Sequence, residues 1–73
     1  DMYKIKYSYN VGNEGGVCIK YANPEELHLV LNGILDIKGV DNVELYYEGH
    51  KCTLPDWYEN TLNLKINIKG DEK

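Results

Sequence analysis

Arginine is absent from this chain: all eight basic residues among its 73 are lysine. Arginine supplies the planar fork that reads guanine edges and clamps phosphate bidentately, so its absence argues against sequence-specific reading of nucleic acid. A net charge of −4 removes the general attraction to a polyanion as well. Long apolar runs are lacking too. No stretch approaches the ~20 residues of a membrane helix. No basic start leads into an apolar run, so no signal peptide is expected, and Met2 reads as the natural start after Asp1. There are only two cysteines and two histidines, at positions 18, 52, 28 and 50, without the close pairs of a zinc site. Neither a Gly-x-Ser-x-Gly elbow nor a Cys-His pair with a reason to meet is present. These absences leave no expected metal, cofactor or catalytic residue, and the chain reads as a non-enzyme.

Abundant features are patterned. The share of hydrophobic residues is 42%, and their clear periodicities argue against disorder. The length allows one modest core, so a single domain is expected over residues 2–70 with a frayed tail at 71–73. Abundant Asn, Ile, Tyr and Lys, all with AT-rich codons, point to a low-GC genome, cellular or viral.

The cleanest alternation is Leu62-Asn63-Leu64-Lys65-Ile66-Asn67-Ile68-Lys69. A period of two predicts a strand, with Leu62, Leu64, Ile66 and Ile68 on a core and the polar residues outward. Tyr3, Ile5, Tyr7 and Tyr9 alternate in a first strand. Gly12 to Gly16 form a turn, and Val17, Ile19 and Tyr21 then alternate inward with Cys18 and Lys20 outward, giving a hairpin with a long tip. As a phosphate-cradling loop these glycines lack the helix start that must follow.

Asn23-Pro24-Glu25-Glu26 opens a helix: a capping residue, Pro at the first position, and acids at the positive end of the dipole. Leu27, Val30, Leu31, Ile34 and Leu35 form one stripe. The helix is expected over 24–38, with Gly39 stopping it. His28, Asn32 and Asp36 fall on the solvated face. Val43, Leu45 and Tyr47 alternate in a third strand, Glu48-Gly49-His50 turns, and a short fourth strand covers 51–53. A compact connection follows, with Leu54 and Trp57 tucked inward.

One helix covering a mixed sheet of five strands in the order 2-1-5-3-4, with the first and fifth parallel, is the α+β arrangement these elements predict. That order is the β-grasp, and several stretches resemble the ubiquitin-like family. Leu45-Tyr46-Tyr47-Glu48-Gly49-His50-Lys51 is similar to the family's Leu-Ile-Phe-Ala-Gly-Lys-Gln. Thr53-Leu54-Pro55-Asp56-Trp57 is similar to Thr-Leu-Ser-Asp-Tyr, and Asn60-Thr61-Leu62-Asn63-Leu64 to Ser-Thr-Leu-His-Leu. Tyr46 stands where the family has its central isoleucine and Lys65 where it has a valine. The tail lacks a terminal Gly-Gly, with only Gly70 near that place, so the resemblance implies binding rather than conjugation.

In this arrangement Lys4, Lys6, Lys20, Lys65 and Lys69 share the sheet's open face, with Tyr46 as an aromatic anchor. The acids gather on the helix side and the loops. The expected function is a ubiquitin-like protein-binding module whose lysine-rich face docks an acidic protein surface. The alternative is a small inhibitor from a phage or mobile element that blocks a host or defence protein. Cys18 on the second strand and Cys52 on the fourth would lie about 19 Å apart, four strand spacings, so no disulfide is expected. Free thiols fit a cytoplasmic setting.

Overall fold

A computed structural model describes residues 2–71, with side chains as far as Ile66. It is an α+β domain: β1 (Tyr3–Val11), β2 (Glu14–Ala22), a 3-10 turn (Pro24–Glu26) leading into α1 (Leu27–Leu35), β3 (Val40–Tyr47), β4 (His50–Cys52) and α2 (Asp56–Asp71). The four strands form an antiparallel sheet in the order β2-β1-β3-β4. The expected order 2-1-5-3-4 is therefore corrected: β3 pairs directly with β1, and no fifth strand separates them. The parallel pairing that the β-grasp order required is absent among the described residues. Of the expected 71–73 tail, Asp71 ends α2 and the rest lies outside the described residues.

The stretch 62–69 that reads as a strand is helical. Its alternation satisfies a period of two, but Tyr58, Leu62 and Ile66 also recur every four residues, one face of a helix. The local start favours the helix. The Pro55 carbonyl accepts the Tyr58 and Glu59 amides at 3.1 and 2.9 Å, and Asp56 and Glu59 fall in the first turn, at the positive end of the dipole. Leu62 is 5% exposed and Leu64 62% exposed, which a strand with both on its core face could not give. Trp57, expected inside, is half-exposed and packs edge-on against Tyr58; Tyr58 is the buried aromatic.

Both helices cover one face of the sheet. The core joins Ile5 and Tyr7 of β1, Ala22 of β2, Leu31 and Ile34 of α1, Val40, Val43 and Leu45 of β3, and Tyr58 and Leu62 of α2. The α1 stripe is as expected, and His28, Asn32 and Asp36 are exposed. Two-residue turns close both hairpins. Gly12-Asn13 links Val11 to Glu14, and Glu48-Gly49, both at positive φ, links Tyr47 to His50.

Tyr58 is fully buried, and its hydroxyl has no protein partner among the described residues. Burial pushes its pKa from the usual 10.0 up to about 12. Two results are expected. Tyr58→Phe leaves stability unchanged or raises it by about 1 kcal/mol, because it removes a desolvated, unpaired hydroxyl. In the wild type, stability falls as pH rises from about 10 towards about 12, where the unfolded chain has released this proton and the folded protein still holds it. Tyr7 is raised in the same direction, first by burial and then by its Cys18 neighbour, so Tyr58→Phe should reduce the alkaline loss without abolishing it. Urea denaturation at neutral and alkaline pH measures both effects.

Candidate functional site: the open face of the sheet

The two-residue turn fixes which side chains reach the uncovered face. Pairing Val11 with Glu14 sets every odd residue of β1 opposite an even residue of β2. Ile5 and Tyr7 are in the core, so their partners Lys20 and Cys18 lie on the helix side, as does Ala22 opposite Tyr3. Val17, Ile19 and Tyr21 therefore face outward, with exposures of 62%, 49% and 62%. This inverts the expected orientation of β2. Cys18 packs against the core and is not an outer residue beside Lys20.

Glu14, Gly15 and Gly16 belong to the strand and not to a long tip. Gly16 packs under the Tyr9 side chain: a Cβ there would come within 3.0 Å of the Tyr9 hydroxyl and 3.2 Å of its ring carbons, so the ring would have to shift. Reading the turn as Gly12-Asn13 alone, the usual glycine-first hairpin pair, would have revealed the parity from sequence.

The outer face forms a grid of cross-strand neighbours. Tyr21, Lys4, Tyr46 and Lys51 make one row across β2, β1, β3 and β4. Ile19, Lys6 and Glu44 make the next, and Val17, Ser8 and Asn42 the third. β2 contributes an apolar column, and β1 beside it contributes two lysines. The Lys4 ammonium lies 5.5 Å from the centre of the Tyr46 ring, a cation–π contact. The Tyr46 hydroxyl donates to Glu44 Oε1 at 2.9 Å. That bond to a carboxylate, followed by partial burial, holds the phenol above its usual pKa. Lys51 Nζ is 3.9 Å from Glu44 Oε2, a loose, exposed pair.

Where β1 meets the start of β3 the register shifts between Ser8 and Tyr9, and Ser8 Oγ donates to Asp41 Oδ1 at 2.6 Å. A depression of about 120 Å³ opens there, between Lys6, Ser8, Val17, Asn42 and Glu44. A larger one of about 450 Å³ lies at the other margin, where β4 ends and Val43, Cys52, Leu54 and Glu59 leave a gap beside β3.

Of the six residues expected to form the docking face, Lys4, Lys6 and Tyr46 are brought together on it. Lys20 is on the opposite side, at the exposed rim of β2. Lys65 is not on the sheet: it belongs to α2, and its ammonium donates to the carbonyls of Leu35 and, at 2.8 Å, Ile37. Leu35 is the last residue of α1, at the negative end that a cation stabilises, and the Ile37 carbonyl, just beyond the helix, also accepts the Val40 amide at 3.5 Å. Lys69 also falls in α2 and not in a strand, and its side chain lies outside the described residues. Lys51, Val17, Ile19 and Tyr21 are the members of the face that strand patterning did not place there.

Both cysteines are free thiols, with β1 and β3 between their strands. Among the described residues no helix is long and apolar enough to cross a membrane, and no three His, Cys, Asp or Glu side chains group as metal ligands. In comparisons with known proteins, no family model, no curated protein and no solved structure matches this chain.

Proposed function

We propose that this chain is a non-enzymatic protein-binding module that docks an acidic, partly apolar protein surface on the open face of its sheet. The observation that carries the reading is the adjacency of two columns on a face no helix covers. Val17, Ile19 and Tyr21 supply apolar area, and Lys4 and Lys6 beside them supply charge opposite in sign to the chain as a whole. Apolar anchors beside charge of one sign are the usual division of labour in recognition, area for affinity and charge for steering and register. Of the ubiquitin-like resemblance, the reading keeps only the use of a sheet face for docking. Separated free thiols fit an intracellular setting.

The test is capture from an extract of the source organism with matched variants, quantified by mass spectrometry. Lys6→Glu and Ile19→Lys should each reduce recovery of the same protein by about tenfold. His28→Glu, on the exposed side of α1, should leave it unchanged. Added salt should weaken the wild-type complex, since Lys6 is exposed and its charge is screened. Equal recovery by all three variants would dismiss the face as a binding surface.

A further inference from the structure

The outer edge of β2 is a second surface, separate from the open face. β2 ends the sheet, runs nine residues, pairs with β1 without a register shift and contains no proline. It thus lacks the bulge or proline with which natural edge strands are blunted. The hairpin decides which backbone groups point outward. In a two-residue turn Val11 and Glu14 exchange hydrogen bonds, and the alternation along an antiparallel ladder then turns Glu14, Gly16, Cys18, Lys20 and Ala22 towards β1. The Asn10 amide bonding Gly39 at 2.9 Å, on the β3 side of β1, agrees with this parity. The amides and carbonyls of Gly15, Val17, Ile19 and Tyr21 therefore point to the free edge.

The charges along this edge are self-complementary. β2 carries one acid and one base, Glu14 and Lys20, in the same row, both exposed and equally distant from Val17. A second copy laid antiparallel about a two-fold axis through Val17 sets Glu14 opposite Lys20 of the other copy, twice. Val17 then faces Val17, and each Ile19 covers the other copy's Gly15. Centring on Cys18 or Ile19 leaves both charges without an opposite, and centring on Lys20 opposes two lysines.

We infer that the partner of this edge is a second copy of the chain, joined β2 to β2 about Val17 into a continuous eight-stranded sheet. Such an isologous pairing keeps both open faces on the same side, with the apolar columns adjacent at the centre and the lysines outside them. It rests on the edge and not on the docking reading, since Glu14 and Lys20 are outside the open face.

Sedimentation over a range of concentrations, with amide exchange on the wild type, tests the proposal. The wild type should dimerise. Glu14→Lys and Lys20→Glu should each weaken the dimer roughly tenfold, since each makes two like-charge contacts where there were two attractive ones. The double variant E14K/K20E should recover the wild-type constant to within about twofold by the same arithmetic. The Gly15, Val17 and Ile19 amides should exchange slowly in the dimer and quickly on dilution. A wild type monomeric up to about 1 mM, a dimer indifferent to the single variants, or a double variant that fails to recover would each overturn the pairing. The amide pattern decides the matter without any variant.

Discussion

Gly39→Ala should destabilise the domain by about 2–4 kcal/mol, a large part of what a chain this size holds in reserve. Gly39 has φ +84°, a region where a side chain is strained. A Cβ there would also stand 2.5 Å from the Asn10 carbonyl oxygen and 2.6 Å from Val11 Cγ2. Nothing nearby yields cheaply, because the Asn10 amide is bonded to the Gly39 carbonyl at 2.9 Å and fixes the two backbones together. The same substitution at Gly33 supplies the control. Gly33 lies within α1, is exposed, and has nothing within 4 Å of a built Cβ. Gly33→Ala should stabilise by about 0.5–1 kcal/mol through helix propensity. Denaturant midpoints of the two variants should therefore move in opposite directions, and a Gly39→Ala protein as stable as the wild type would remove the close approach between α1's exit and β1.

Leu62→Asp should unfold the protein, while Leu64→Asp should change its stability by no more than about 0.5 kcal/mol. Leu62 packs in the core at 5% exposure, and an unpaired carboxylate there loses the apolar contacts and buries a charge, a cost of about 3–5 kcal/mol. Leu64, two residues on, is 62% exposed. Two residues along a strand return to the same face, whereas along a helix they turn through about 200°. The pair therefore distinguishes the helix from the strand that the alternation suggests. Circular dichroism and thermal melts read the result, and equal damage from both would restore the strand.

What the sequence made legible was what local pattern alone decides. The α1 stripe, the inward set of β3 and the turn at Glu48-Gly49 follow from spacing and turn chemistry. The helix expected over 24–38 is shorter: Pro24–Glu26 is a 3-10 turn, α1 spans Leu27–Leu35, and Gly39 lies in the turn that leads to β3. Two features depended on choices between patterns that both fit. Leu62 to Lys69 satisfies periods of two and of nearly four, and the choice came from Pro55 and the acids at the helix start, and from β1 having both edges taken by β2 and β3. The facing of β2 depended on one parity. A five-residue turn keeps odd residues opposite odd ones, and the two-residue turn at Gly12-Asn13 sets odd opposite even. That difference moved Cys18 and Lys20 to the helix side and Val17, Ile19 and Tyr21 to the open face. Of the site, Lys4, Lys6 and Tyr46 were legible because their strands were read correctly. Lys65 was misplaced with the helix that carries it, where it caps α1.

The docking face is the central claim, and site-specific photo-crosslinking examines it most directly. A photoreactive lysine analogue that keeps the ammonium is placed at position 6, on the open face between Ile19 and Glu44, or at position 28, on the exposed side of α1. Each protein is then irradiated in an extract of the source organism, and the masses of its adducts are determined. An adduct to another protein from position 6, lost at high salt and absent from position 28, is the predicted result. Adducts from position 28 with none from position 6 would contradict the claim.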